Sequence, residues 1–437
     1  MNTAPSHIAE LNTSDLRLLH NQLRAEYDSL RSRSLKLDMT RGKPSPEQLD
    51  LANELLSLPG PERYISNGGD DARNYGNLQG LPEARELFAF MLGASPDRVA
   101  IGTSSSLALM HDVIVWAMLK GVPGSSVAWS HINTNSEPPA FICPVPGYDR
   151  HFAICEQFGI RMLPVPLTGR GPDMDQLERL AADPTVKGMW AVPQYSNPTG
   201  EIYSSETVQR LAMMRTSAPD FRIFWDNAYA VHHLTDRRHE IANILELCEE
   251  AGNPDRAFVF ASTSKVTFAG AGLAFFASSQ VNLAWFLARA TKQTIGPDKL
   301  NQLRHVLFLK DEAGLCRHME AHRALLAPKF EAVYSALEMR LTGTGAATWS
   351  KPEGGYFISV DAMEGTARRV VELARDAGVA LTPAGATWPL NRDPFDRTLR
   401  LAPSFPSLAD VRAASEVIAL CILLAAVEKL SAQPARP

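Results

Sequence analysis

The sequence predicts an α/β fold: a mostly parallel, seven-stranded sheet with helices on both faces, plus a smaller α+β domain. Three observations predict it. From about residue 60, short apolar runs alternate with helical stretches, the pattern of βαβ units whose strands are covered on both sides. Near residue 300 the alternation gives way to a long helical region and then to short strands scattered among helices. The residues just after four of the strand-like runs are polar, as expected at the carboxyl edge of an open parallel sheet, where ligands bind.

Taken in order, a helix is expected over 14–33, followed by the irregular "LDMTRGKPSPEQLDL", which Gly and Pro interrupt. The strand candidates are "VAIGT", "SVAWS", "RMLPVPL", "GMWAVPQ", "FRIFWD", "AFVFAS" and "LAFFAS", with helices such as "LALMHDVIVWAMLKG" between several of them. A helical region covers 300–340, and "GGYFISV", "GVALTPA" and "RTLRLAP" are the short strands of the last domain. The expected division is an N-terminal segment 1–60 that packs with the small domain and closes a cleft, a large domain 61–305, and a small C-terminal domain 306–437. A chain of 437 residues that is 45% hydrophobic is long enough for two cores.

Composition removes several classes. A net charge of −5 without a basic run argues against nucleic acid as a partner. The N-terminal "MNTAPSHIAELNTSDLRLLH" lacks the apolar core of a signal peptide. The apolar run 417–427, between Glu416 and Glu428, is shorter than the ~20 residues of a membrane span, so no membrane segment is expected. Cysteines at 143, 155, 248, 316 and 421 are scattered, without C-x-x-C, which suits reduced thiols and a cytoplasmic location. His232 and His233 are adjacent but lack metal-ligand spacing, and no metal is expected.

The four polar tips are "GTSSS", "NPTG", "DNAY" and "STSK". An ordinary turn explains any one of them, but four on one edge describe a ligand site. The last contains Lys265, the lone cation of "FASTSKVTFAGAGLAFF". Burial favours the neutral amine of a lysine. Three readings fit: snorkelling from a strand end, a phosphate-loop lysine whose glycines follow rather than precede it, or an amine kept neutral for Schiff-base chemistry. "GTSSSLALMHD" places Gly102 and small hydroxyl residues at a strand-to-helix junction. Such a junction attracts an anion through its N–H groups and dipole, although a plain N-cap serine reads the same way.

In their order, these motifs resemble the aspartate aminotransferase superfamily, the pyridoxal 5'-phosphate (PLP) enzymes of fold type I. "NPTG" at 197–200, "DNAY" at 226–229, "STSK" at 262–265 and "RLAPS" at 400–404 carry the resemblance through most of the chain. "MTRGKPSPEQLDLA" is similar to aspartate aminotransferase subgroup Ic, which is related to the catalytic half of the MocR regulators. The resemblance implies PLP as cofactor. Lys265 would hold the cofactor aldehyde covalently and move the substrate Cα proton. Asp226, otherwise an acid ending a strand or capping a helix, would keep the pyridine nitrogen protonated. Asn197 and Tyr229 would hydrogen-bond the ring hydroxyl, although Asn-Pro also favours a turn by itself.

Ser104, Ser105, Ser262 and Ser264 would meet the phosphate. Tyr75, in "NYGNLQG", would reach it from a partner subunit, implying a homodimer with shared active sites. Tyr148 would stack on the ring and His151 would orient Asp226; a tyrosine packed in the core is the alternative. Arg400, as an alternative to a solvated strand-end arginine, would grip the substrate α-carboxylate with its two-pronged guanidinium. The Gly42 N–H and Asn197 would serve the same substrate.

One position departs from the pattern. Many family members carry an arginine eight residues after the lysine to neutralise the phosphate, and here Leu273 stands there. The implied function is ping-pong transfer of an amino group from an L-amino acid to a 2-oxo acid, with aspartate and 2-oxoglutarate indicated by the subgroup. Aromatic amino acids, aminoadipate or other donors are alternatives within that activity, and a β-lyase or decarboxylase uses the same cofactor. A MocR-type PLP-binding regulator needs a DNA-binding domain, and residues 1–60 lack basic winged-helix character. Lys292, Lys299 and Arg304 are candidates to read a distal carboxylate from the partner subunit, or else are solvated helix charges.

Overall fold

The computed structural model describes residues 7–131 and 137–432, and they fall into two compact units. The larger unit comprises Glu47–Ser196 and Glu201–Arg323; the other comprises the chain up to Pro46, Asn197–Gly200, and the chain from Ala324 onward. Twelve strands run through them: β1 (Leu37–Asp38), β2 (Val99–Ile101), β3 (Ala140–Val145), β4 (Arg161–Pro166), β5 (Val186–Ala191), β6 (Arg222–Asp226), β7 (Ala257–Ser262), β8 (Ala274–Ala277), β9 (Ala347–Trp349), β10 (Ile358–Ala362), β11 (Val379–Ala380) and β12 (Thr398–Leu401).

The larger unit is built on a seven-stranded sheet in the order β2-β8-β7-β6-β5-β3-β4. Only β8 runs antiparallel to its neighbours. Strands β3, β6, β7 and β8 are buried along their whole length. That explains their continuous apolar sequences, since helices cover both faces of a parallel sheet. On one face Phe276 stacks on Phe286 of the Gln280–Ala290 helix, ring centroids 4.4 Å apart. Phe286 in turn meets Trp116 of the Ser106–Lys120 helix at 5.4 Å.

One strand expectation is corrected. "SVAWS" is not a strand; the strand in that part of the chain is β3, "AFICPV". The backbone N–H groups of Trp129 and Ser130 return to the preceding helix instead. Trp129 N donates to Ala117 O at 3.1 Å and Ser130 N to Met118 O at 3.2 Å. The Trp129 Nε1–H donates to Asp220 Oδ2 at 2.9 Å. Backbone satisfied against a helix end is not available to a sheet. In β3, Pro144 lies beyond the residues paired with β5, so its missing N–H breaks no bond on that side.

The larger unit begins at Glu47, whereas 61 was expected; within it Gln48 Nε2 lies 3.0 Å from His322 Nδ1. The later boundary falls after Arg323 instead of 305. The Lys299–Leu309 helix belongs to the larger unit, with Gln302 Oε1 accepting from Leu81 N at 2.7 Å.

In the other unit, β12, β10 and β9 form an antiparallel sheet and β1 pairs with β11 in parallel. The Thr13–Arg31 helix is capped by Asn12, whose side chain accepts from Asp15 N. It buries Leu16, Leu23, Tyr27 and Leu30 on one stripe, which packs on the Leu408–Ser431 helix. The apolar run 417–427 is the buried middle of that second helix. Among the described residues, no helix is long and apolar enough to cross a membrane.

Candidate active site

The carboxyl ends of β2, β6 and β7 bring one set of sequence-predicted residues together in the larger unit. Asp226 closes β6 and is buried. Its Oδ2 lies 3.2 Å from His151 Nε2. The His151 ring is stacked on Trp190, centroids 4.4 Å apart and 9° from parallel. Tyr148 meets the same imidazole edge-on at 4.9 Å. Held from both sides, the imidazole fixes the carboxylate. The other carboxylate oxygen, Asp226 Oδ1, is buried with no hydrogen-bond partner among the described residues. A buried acceptor left open costs free energy, and among the described residues this oxygen remains open to a donor.

Lys265 sits in the turn after β7, its Nζ 5.0 Å from the centroid of the buried Tyr229 ring. Burial pushes the ammonium below the usual lysine range, and the Asp226 carboxylate opposes that only in part. An amine that gives up its proton more easily is a better nucleophile and base at neutral pH. The snorkelling reading does not describe this environment.

The hydroxyl cluster lies at the start of the Ser106–Lys120 helix. Ser105 is its N-cap residue but makes no side-chain capping bond, which leaves the first-turn N–H groups available. Ser264 Oγ donates to Ser104 O at 3.2 Å, tying the lysine turn to this loop, and Ser262 ends β7, buried. A Cβ at Gly102 would come within 2.5 Å of the Leu109 side chain, so the glycine lets the start of the helix pack closely. The same loop walls a cavity of about 470 Å³ that Leu273 also lines, and Arg304 is its one basic lining residue. Arg304 donates from Nε to Asn301 Oδ1 at 2.7 Å and from Nη2 to Ala271 O at 3.4 Å. Lys299 is buried, its Nζ on Tyr75 O at 3.1 Å. Lys292 is exposed, and the Tyr75 side chain is 78% exposed.

The second set, Asn197, Arg400 and Gly42, lies in the other unit. Arg400, buried in β12, donates from Nη1 to Asn197 Oδ1 at 3.4 Å and lies 5.0 Å from the centre of the Phe357 ring. Gly42 touches the same ring so closely that a Cβ would come within 2.2 Å of it. Its loop is tied to the residues around β12: Ser404 Oγ donates to Lys43 O at 2.9 Å and Ala402 N to Met39 O at 3.1 Å.

Sequence reasoning missed a group of histidines behind the lysine turn. His232, read as structural, bonds the Lys265 carbonyl, and His305 and His318 bond neighbouring residues of the turn. The only sequence signal was the i, i+4 spacing of His318 and His322 on one helix.

A family model described as "Aspartate amino-transferase" matches residues 11–434. The chain is similar to a Mycolicibacterium smegmatis protein named as a candidate aminotransferase, 53% identical over 424 residues, 96% of this chain and 98% of the other. It is 49% identical over 411 residues to an aspartate aminotransferase of Corynebacterium glutamicum, 94% of each chain. The crystal structure of an aspartate transaminase from C. glutamicum superposes with a TM-score of 0.95 at 48% identity, covering 98% of this chain and 100% of that one.

Proposed function

Since the chain belongs to the aspartate aminotransferase family, a family of PLP-dependent enzymes acting on amino and 2-oxo acids, we propose that it moves the amino group of L-aspartate to 2-oxoglutarate. The cycle is ping-pong, and the enzyme works as a cytoplasmic homodimer. What carries the assignment of the site is the open Asp226 Oδ1, a buried acceptor that a protonated ring nitrogen satisfies. For the donor, the support is the near-half identity to an aspartate aminotransferase along 94% of both chains.

The residues fit PLP. Asp226 would hold the ring nitrogen, Tyr148 would lie against the ring and Tyr229 would meet the ring hydroxyl, a role the family resemblance gives to Asn197 as well. Ser104, Ser105, Ser262, Ser264 and the helix N-terminus would take the phosphate. When bound, PLP supplies an aldehyde and an electron-withdrawing ring that stabilises negative charge at the substrate Cα. Lys265 Nζ then takes the Cα proton, a task for which its lowered pKa suits it. His151 keeps Asp226 from turning away, so the carboxylate would stay aimed at the ring nitrogen and favour its protonated form. Arg400 grips the α-carboxylate and Gly42 offers its N–H beside it, which favours amino transfer over loss of that carboxylate.

Free buried thiols at Cys143, Cys155, Cys248 and Cys421 suit a reducing compartment. The exposed Tyr75 and Ile295 suit a covered surface in a dimer. A donor screen against 2-oxoglutarate tests the reading. Aspartate is expected to exceed alanine, leucine, phenylalanine and 2-aminoadipate by at least about tenfold in kcat/KM, since an unmatched distal charge is costly to bury. If leucine or phenylalanine matched it, the aspartate assignment would fall and the aminotransferase assignment would stand.

A further inference from the structure

The turn that carries Lys265 is gripped by imidazoles from three separate elements of the larger unit. His232 follows β6, and its Nε2 lies 3.3 Å from Lys265 O. His318, on the Glu312–Leu341 helix, places Nε2 2.6 Å from Val266 O. His305, on the Lys299–Leu309 helix, places Nε2 2.9 Å from Thr267 Oγ1 and 3.4 Å from Thr263 Oγ1. Its Nδ1 is 2.7 Å from Asn301 O. The His322 ring packs edge-on against His318, centroids 4.7 Å apart.

A carbonyl oxygen only accepts, so these contacts fix tautomers. His232 and His318 present Nε2–H to the turn. His305 presents Nδ1–H to Asn301, which leaves its Nε2 to accept from the Thr267 hydroxyl. Each ring does this while neutral, and burial keeps it so: His232 and His322 are lowered to about 3, His305 to about 4, and His318 is lowered as well.

The backbone already closes this turn, with Val266 N and Thr267 N both donating to Thr263 O at 2.9 Å. Burying three more polar rings carries a desolvation cost that closing the turn does not require. What the rings add is control of the two carbonyls on and just after the lysine, and so of the direction in which its side chain leaves the backbone.

We infer that His232, His305 and His318 are positioning residues that fix the backbone of the Lys265 turn, so that the amine meets cofactor and substrate in a single orientation. The inference rests on Lys265 being the cofactor's attachment point. It is tested in the holoenzyme with His232→Ala, His232→Gln, His318→Ala and His318→Gln. The glutamine Nε2–H stands in for the imidazole Nε2–H.

The readouts are the pH titration of the bound-cofactor absorbance, and kcat and KM for aspartate. The alanine proteins should lose about tenfold or more in kcat, because small misplacements of a reacting group are expensive. Their KM should stay close to wild type, their absorbance titration should shift, and glutamine should restore most of both. Where alanine is insoluble, asparagine takes its place, since its shorter amide falls short of the carbonyl. Alanine proteins with wild-type titration and kcat would overturn the inference, and so would folded glutamine proteins as impaired as alanine. Borohydride trapping tests the premise separately. Label on another lysine removes the attachment assignment; label on Lys265 with unaffected variants removes the positioning role alone.

Discussion

Lys265 and Asp226 carry opposite burdens. Burial makes the lysine easier to deprotonate, whereas Asp226 keeps one carboxylate oxygen open inside the protein. Substituting each therefore has a distinct expected outcome. Lys265→Ala removes a group that is costly to bury charged, so the apoprotein should melt no lower than wild type near neutral pH. It should show no lysine-bound cofactor absorbance and almost no turnover. A melting temperature well below wild type would mean that the amine has a structural role. Asp226→Ala should fold and still take up PLP, but lose orders of magnitude in kcat, because an unprotonated ring is a poor electron sink. Activity within a few-fold of wild type would remove its assignment. These two residues were legible because a lone lysine and a strand-end acid are chemically conspicuous in an apolar run. The histidines around the turn were not: 232, 305 and 318 lie far apart in sequence, and only the fold makes them neighbours.

At the scale of elements, legibility followed burial. Strands β5, β6 and β7 are short apolar runs because both their faces are covered, and they were read directly from the sequence. "SVAWS" has the same look, yet its Trp129 is buried against a helix end and Asp220, not in a sheet. The two-residue β1 carries no pattern of its own and exists only through its pairing with β11. The loop after β1 yields the most specific expectation at this scale. Gly42 lies against the Phe357 ring, which also lies beneath the Arg400 guanidinium. Gly42→Ala must push that ring aside, an overpacking cost of about 1–3 kcal/mol, and the ring's shift should reach Arg400. The expected result is a several-fold rise in KM for the amino acid with little change in PLP affinity. An unchanged KM in steady-state kinetics would show that Phe357 moves without disturbing Arg400.

The whole molecule has a pH dependence whose direction follows from its buried histidines. His232, His305 and His322 titrate near 3 to 4 in the folded chain against 6.5 when exposed, with burial the first cause in each. His318 and His233 are lowered for the same first reason. Between those values the unfolded chain binds protons that the folded chain refuses, so stability rises with pH across that window and falls on acidification. The penalty begins as pH drops below about 6.5 and approaches, at most, about 1.4 kcal/mol per pH unit for each such histidine. Glu201 and Asp361 oppose it: burial raises the pKa of each, so the folded state gains relative stability as those carboxyls take up protons. Two carboxyls do not balance several imidazoles. The apoprotein should therefore unfold at clearly lower urea concentration at pH 5 than at pH 7.5, well before its carboxylates as a class are protonated. His322→Gln should flatten the slope, because it removes one refused proton and keeps an amide at the position that meets His318 and Gln48. A urea midpoint independent of pH between 7.5 and 5 would show that these imidazoles accept protons in place, and that the neutral hydrogen-bonding pattern around the Lys265 turn is wrong.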